Sequence, residues 1–197
     1  MDKNSLLELG SLNKIFSERW SPRSFSSEKS ISEKDLETVF QAARISPSCY
    51  NEQPWRYIVC NGSTDKEAWE KLFSVINEWN QGWCKNCPVL VLVLSRNSFE
   101  KNKKENAWSE YDTGAATMSA VLQASILGID SHQMGGFDKD KSLSIFGIES
   151  KEFTPISVLA LGYKSEPSEV SEKYKESEVT PRERKKLEDI VYWGSFK

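Results

Sequence analysis

The sequence contains only one histidine and four cysteines among its 197 residues. Four cysteines are too few for a disulfide scaffold in a chain of this length, and His132 has no second histidine with which to bind zinc. Cys84 and Cys87 form a C-x-x-C pair, but Pro88 and an apolar run follow it, whereas a thioredoxin-like pair opens a helix after a strand. We therefore expect no metal site and interpret both cysteines as core residues, with a metal or redox role as the alternative.

Glycine is also scarce, at ten residues. The chain has no G-x-G-x-x-G turn and no G-x-x-x-x-G-K-[ST] loop, so neither a Rossmann pyrophosphate site nor a P-loop is expected. A bound phosphate would have to be held by side chains.

The sequence lacks both a basic excess and a long apolar run. The net charge of −3 argues against a nucleic-acid surface, and the apolar run at 88–94 is too short to span a bilayer. No secretory signal is visible at the start. We expect a cytoplasmic protein with no nucleic-acid or membrane partner.

Helical and strand patterns alternate along the chain, which indicates α+β or α/β layers around one sheet. Residues 1–197 are expected to form a single domain, with 164–180 as an extended arm and the polar stretch 95–110 as a surface excursion or lid. Helices are predicted at 5–18, at 65–76 and at 111–128. A further helix is predicted to be capped by Ser32 and to end before Pro47. The strands are predicted at 56–60, 88–94 and 156–163, and the run at 88–94 predicts a strand covered on both faces.

Arginine is rare, with seven residues against nineteen lysines, yet four of the seven stand in two clusters. The first is R-W-S-P-R at 19–23 and the second is R-E-R at 182–184. The planar guanidinium suits two-bond contacts with a phosphate or carboxylate. Thr180, Pro181 and Glu183 match an N-cap, a first helical position and a capping box, which predicts a last helix whose first turn presents Arg182 and Arg184 to an anion. The alternative is a basic surface turn.

Six segments in order resemble the FMN-dependent nitroreductase family and span the chain from residue 15 to the end. They are R-W-S-P-R-S-F at 19–25, P-S-C-Y-N-E-Q-P-W-R-Y-I-V at 47–59, D-T-G-A-A at 112–116, L-G-I-D-S-H-Q-M-G-G-F-D at 127–138, L-A-L-G-Y at 159–163 and P-R-E-R at 181–184. The resemblance implies a three-layer α+β fold with a central, mostly antiparallel sheet flanked by helices. It also implies an intertwined homodimer with FMN sites at the subunit interface.

The resemblance also assigns residues to the flavin. The phosphate and ribityl contacts would come from Arg19, Ser21, Arg182 and Arg184, with Trp20 as a further cofactor-binding residue and Arg23 beside the N1–C2=O edge. The ring would lie against Pro47, Ser48, Cys49 and Asn51 of the partner subunit. The remaining assignments are the N5 turn of Met134, Gly135 and Gly136, a pyrimidine contact from Asn80, and His132 as a candidate proton donor. No side chain is expected to be catalytic with certainty, because the flavin carries the chemistry.

The implied activity is ping-pong reduction of nitro, quinone or activated-alkene compounds by NADH or NADPH through flavin N5. A guanidinium beside N1 and C2=O would stabilise the charge of reduced flavin. Gly135 replaces an acidic residue of several nitroreductases, and Trp83 stands where some have lysine, so donor preference and substrate scope stay open. The alternatives are an FMN-binding sensor or storage protein without turnover, and related chemistry such as reductive dehalogenation or flavin breakdown.

Overall fold

A computed structural model of the chain describes residues 10–166 and 169–196, and in this part a four-stranded sheet forms the centre of the fold. The strands lie in the order β1–β2–β4–β3, and every neighbouring pair is antiparallel. Their bounds are β1 Trp55–Asn61, β2 Val89–Arg96, β3 Asp130–Met134 and β4 Phe153–Gly162. The predicted antiparallel sheet is confirmed.

Helices cover both faces of this sheet. They are α1 Lys14–Glu18, α2 Glu33–Arg44, α3 Lys66–Phe73, α4 Glu78–Cys84, α5 Ser109–Ile126, α6 Lys139–Ile145 and α7 Glu172–Val179. The apolar cluster on one face includes residues of α2 and α5, and the cluster on the other includes residues of α3, α4, α6 and α7. The fold is therefore α+β in three layers, as the resemblance implied.

Strand β2 shows why the sheet is buried on both sides. Val89, Val91 and Val93 belong to the cluster with α2 and α5, whereas Leu90 and Leu92 belong to the opposite cluster. Alternate residues of a strand point to opposite faces, so a strand that is apolar at every position requires a cover on each side. This prediction is confirmed.

The helix boundaries follow local capping signals. The Ser32 Oγ accepts a hydrogen bond from the Asp35 amide at 3.1 Å, and Asp65 caps α3 in the same way. Helix α5 is followed by Gly128 at φ +72°, a left-handed conformation that glycine adopts without steric cost. These three predicted helices are confirmed. Of the helix predicted at 5–18, only Lys14–Glu18 is seen, and residues 5–9 lie outside the described residues.

Two predictions for the C-terminal quarter are wrong. The segment 164–180 is not an extended arm throughout, because Glu172–Val179 form α7. Thr180 is the C-cap of α7 rather than the N-cap of a last helix, and residues 181–186 are not helical. Proline disfavours the helical conformation of the residue before it, and Thr180 accordingly lies at φ −60°, ψ 129°. The Thr-Pro pair therefore ends a helix instead of beginning one.

Within residues 10–166 and 169–196, no helix has the length and apolar character needed to cross a membrane.

Candidate active site

The two arginine clusters meet at one pocket of about 600 Å³. It opens between the coil that follows α1 and the segment that contains α7 and its C-terminal continuation. The described residues that line it are Arg19, Trp20, Ser21, Arg23, Trp79, His132, Lys173, Tyr174, Glu176, Ser177, Thr180, Pro181, Arg182, Glu183 and Arg184. All four clustered arginines therefore face the same space, although more than 150 residues separate the two clusters in sequence.

Arg182 joins the two ends of the chain. Its guanidinium donates to the carbonyls of Phe16 at 3.1 Å, Ser17 at 3.3 Å and Arg19 at 2.6 Å, which lie at the C-terminal end of α1. Carbonyls at the C-terminal end of a helix need hydrogen-bond donors from outside the helix, and a cation placed there is favourable. Arg182 is only 9% exposed, and its Nε is buried without a hydrogen-bond partner among the described residues. Arg182 thus fixes the coil that carries Arg19.

Arg19 and Arg184 keep most of their donors available at the pocket. One amino group of Arg19 donates to the Ser21 hydroxyl at 3.1 Å, and Arg184 is exposed and donates to the Glu183 carbonyl at 2.6 Å. Neither forms an ion pair with a carboxylate in the part of the chain that the structure describes. Burial lowers the pKa of Arg19 and of Arg182, and the charge of Arg184 lowers both further. Such repulsion is relieved by a bound anion, and the donor set suits a phosphate.

Arg23 lies at the same pocket but is held differently. Its backbone N–H donates to the Glu178 carboxylate at 2.7 Å, which links the coil to the buried face of α7. Helix α1 ends at Glu18, so Arg19 and Arg23 stand on coil. The coil then joins the sheet region through a bridge between Phe25 and Lys164.

His132 holds this coil in place through a hydrogen bond to its backbone. Its Nδ1 lies 2.9 Å from the Pro22 carbonyl, and because a carbonyl only accepts, Nδ1 carries the proton. The ring stacks on Trp83 at 4.4 Å between centroids. Burial lowers the pKa of His132, so the imidazole is neutral at pH 7. Its single N–H proton is then already donated to the Pro22 carbonyl. This geometry disfavours the candidate role of proton donor and gives His132 a positioning role.

The turn after β3 is attached to α4. The Gly136 carbonyl accepts from the Asn77 backbone at 3.0 Å and from the Asn80 amide at 3.4 Å. Gly136 has no room for a side chain, since a Cβ would lie 2.2 Å from Asn77 Nδ2, whereas a Cβ at Gly135 would meet nothing within 4 Å. Asn80 also accepts from Trp83 Nε1 at 3.1 Å. The amide of Asn80 is therefore occupied within the protein.

Comparison with known proteins agrees with this architecture. The model of the Nitroreductase family matches residues 16–163. The major NAD(P)H-flavin oxidoreductase of Aliivibrio fischeri is 25% identical over an alignment of 210 positions. This alignment covers 88% of this chain and 94% of the relative. The chain belongs to the Nitroreductase family.

Two solved structures resemble this nitroreductase family member over nearly its whole length. A crystal structure of an oxidoreductase containing FMN matches it with a TM-score of 0.90 at 32% identity, covering 100% of this chain and 98% of the other. A nitroreductase family protein from Clostridium difficile 630 matches with a TM-score of 0.71 at 26% identity, covering 93% and 98%. The family and the fold inferred from the six sequence segments are confirmed.

The predicted ring contacts from the partner subunit lie elsewhere on this nitroreductase family chain. Pro47, Ser48, Cys49 and Asn51 follow α2 and do not line the arginine pocket of this chain. The Cys49 amide donates to Asp112 at 2.9 Å, which fixes this loop on α5. The contact of this loop with the flavin ring in a second copy of the chain stays a prediction. Met134 is buried at the end of β3, and it lies outside the pocket together with Gly135, Gly136 and Asn80.

No binding role was predicted from the sequence for five of the lining residues: Trp79, Lys173, Tyr174, Glu176 and Ser177. Trp79 comes from α4, and Lys173 and Tyr174 come from α7. The family model ends at residue 163, so α7 lies beyond the part that it matches. Trp79 stands directly before Asn80 and could have been considered, but the polar segment around Lys173 gives no local signal of a binding role.

The C-x-x-C pair lies in the core. Cys84 and Cys87 are buried, and Cys87 Sγ lies 3.3 Å from the Val89 carbonyl and 3.1 Å from the Leu161 carbonyl. Burial raises the pKa of Cys84 to about 12 and raises that of Cys87 as well, so both thiols are protonated. Among the described residues, no group of three potential ligands stands close enough to hold a metal.

Proposed function

We propose that this protein is an FMN-dependent oxidoreductase that uses NADH or NADPH to reduce nitro, quinone or activated-alkene compounds by a ping-pong route. The observation that carries the proposal is the convergence of Arg19, Arg182 and Arg184, from opposite ends of a Nitroreductase family chain, on one pocket. Relatives named NAD(P)H-flavin oxidoreductase and a matching oxidoreductase that contains FMN support the choice of cofactor and donor.

The residues present fit a flavin mononucleotide. The phosphate would be held by Arg19, Ser21 and Arg184, whose donors have no carboxylate partner in the described part of the chain, while Arg182 keeps the coil in place. Arg23 lines the same pocket and supplies positive charge for the isoalloxazine edge. The bound flavin would supply the redox chemistry by taking a hydride from the nicotinamide and passing it to the acceptor.

The site is proposed to be completed by a second copy of the chain. Ile45 and Ile126 are exposed beside an apolar groove of about 370 Å³ between α2 and α5, and Pro47 lines the same groove. Exposed apolar surface of this kind supports an interface. The loop with Ser48, Cys49 and Asn51 adjoins that groove and would then be available to the partner's pocket. Sedimentation equilibrium of the purified protein checks the homodimer.

Anaerobic reduction of the purified protein tests the activity. We expect a yellow protein with bound FMN that bleaches on mixing with NADH or NADPH and regains its colour with a nitroaromatic or quinone acceptor. A protein that neither contains nor takes up FMN would contradict the proposal. A yellow protein whose flavin neither nicotinamide reduces would instead be a sensor or store.

A further inference from the structure

Trp79 and Lys173 form a cation–aromatic pair at the pocket that holds the arginines. The Nζ of Lys173 lies 4.2 Å from the centroid of the Trp79 ring, and both residues line the pocket. Trp79 is 52% exposed, although tryptophan is highly buried on average. The Lys173 ammonium covers part of the indole, so the pair presents a positive charge and the remaining exposed indole surface to a ligand at the same place.

Tyr174 holds this pair in position. Its hydroxyl donates to the Trp79 carbonyl at 3.0 Å, and its ring meets the Trp79 ring edge-on at 5.5 Å. Tyr174 is 3% exposed, and a Cβ on Gly82 would lie 2.4 Å from its hydroxyl, so the glycine permits the close contact. Because α7 is attached to α4 in this way, Lys173 is carried to the Trp79 ring by a packed helix.

Positive charge dominates the lining of the pocket. The cationic residues there are Arg19, Arg23, Lys173, Arg182 and Arg184, against the two carboxylates of Glu176 and Glu183. Lys173 forms no ion pair with a carboxylate in the described part of the chain, although Glu176 lies one turn further along α7. Its ammonium group is thus available to a ligand anion, at a site where the arginines are committed to the coil and to the proposed phosphate.

We propose that Trp79 and Lys173 select acceptors that are planar, aromatic and anionic, such as aryl carboxylates and sulfonates that carry a nitro or quinone group. The ring of the acceptor would pack on the part of the indole that Lys173 leaves exposed, and its carboxylate or sulfonate would pair with the Lys173 ammonium. The proposal rests on the proposed flavin-dependent activity. A quinone sulfonate takes up two electrons and two protons, of which NAD(P)H supplies a hydride and water supplies the second proton, so no other reductant is required.

Two acceptors that differ in charge test this selection in the holoenzyme. The ratio of kcat/KM for 4-nitrobenzoate to that for 4-nitrobenzamide is measured in the wild type and in Lys173→Gln, so that differences in intrinsic reactivity cancel. We expect the ratio to fall about tenfold in Lys173→Gln, as the loss of one charge-assisted contact predicts, and to be largely kept in Lys173→Arg. Lys175→Gln is the matched control, because Lys175 lies on the same helix, pairs with Glu172 and does not line the pocket.

Three kinetic outcomes overturn the proposal. They are an equal loss for both acceptors, a change confined to the KM of NADH or NADPH, and an equal effect of Lys175→Gln. Equilibrium dialysis of the purified, oxidised protein with 4-nitrobenzoate gives a readout without turnover, and Lys173→Gln and Trp79→Ala should each weaken this binding about tenfold or more. Failure of the protein to bind FMN or to oxidise NAD(P)H would contradict the proposed function, while the dialysis result would still decide the role of Lys173.

Discussion

An amino group of Arg182 donates a hydrogen bond of 2.6 Å to the main-chain carbonyl of Arg19, across 163 positions of sequence. This bond joins the C-terminal arginine cluster to the coil that carries the first cluster. It also distinguishes two roles, support of the site and binding of the ligand, among arginines that were all predicted to contact the phosphate. Arg182 stabilises the coil that carries Arg19, whereas Arg19 and Arg184 keep hydrogen-bond donors that can bind a ligand.

Replacing Arg182 should therefore destabilise the protein. Arg182→Ala leaves the carbonyls of Phe16, Ser17 and Arg19 without their shared donor, and we expect the free energy of unfolding to fall by about 1–3 kcal/mol. Urea denaturation measures this change. Arg184→Ala is the matched control, because Arg184 is exposed and its removal should change stability by no more than about 0.5 kcal/mol. Equal losses in the two variants would show that Arg182 has no special structural role.

His132 should make stability depend on pH near neutrality. Burial lowers its pKa in the folded state below the ordinary value of 6.5, so the unfolded chain takes up a proton first as the pH falls. The His132 contribution is complete above pH 6.5 and is lost as the pH falls from there towards the lower folded pKa, with a slope of at most about 1.4 kcal/mol per pH unit.

The difference between wild type and His132→Gln isolates this contribution from that of the carboxylates. We expect the unfolding free energy of the wild type to fall more steeply than that of the variant between about pH 7.5 and pH 5.5. Parallel curves for the two proteins would mean that His132 is not buried as a neutral imidazole.

The two glycines after β3 should respond differently to alanine. At Gly136 a Cβ would lie 2.2 Å from Asn77 Nδ2, and Asn77 cannot move away without loss of the cap that its Oδ1 provides to Asn80 N at 2.9 Å. We expect Gly136→Ala to cost about 1–3 kcal/mol of stability. Gly135→Ala, where the space is open, should be nearly neutral. Thermal or urea denaturation of both variants measures the change in stability. A large loss of stability in Gly135→Ala would contradict the geometry.

The buried cysteines should be chemically silent in the native protein. Cys60, Cys84 and Cys87 are each at most 2% exposed, and burial raises the pKa of all three, so the reactive thiolate is scarce. Titration with Ellman's reagent should find at most one reactive thiol of the four in the native state and all four in denaturant. Rapid reaction of two or more native thiols would reopen a redox role for the C-x-x-C pair.

Strands β1, β2 and β4 and helices α2, α3 and α5 could be predicted because their signals are local, whereas β3, α4 and α6 were not predicted. A run such as V-L-V-L-V-L must be buried on two faces, and Ser32 or Asp65 before an amphipathic stretch begins a helix wherever it occurs. The meeting of the arginine clusters was anticipated from residue type together with the resemblance.

The structure of the C-terminal quarter could not be predicted from local sequence signals. Thr180 and Pro181 satisfy the rules for a helix start and for a helix end, and packing decides between them. Helix α7 forms where Tyr174 is buried against Trp79 and Gly82, which a window of sequence does not reveal. Lys173 enters the pocket only as a consequence of that packing.

The central claim is that arginines from both ends of the chain bind one phosphate group, and titration with two flavins tests it most directly. Riboflavin lacks the phosphate of FMN but keeps its ring and ribityl chain, so dissociation constants for both are measured in wild type, Arg19→Ala and Arg184→Ala. The account predicts that each substitution weakens FMN binding by about 1.5–3 kcal/mol and leaves riboflavin binding within about twofold. Equal affinity of the wild type for FMN and riboflavin, or equal losses for both ligands in the variants, would contradict it.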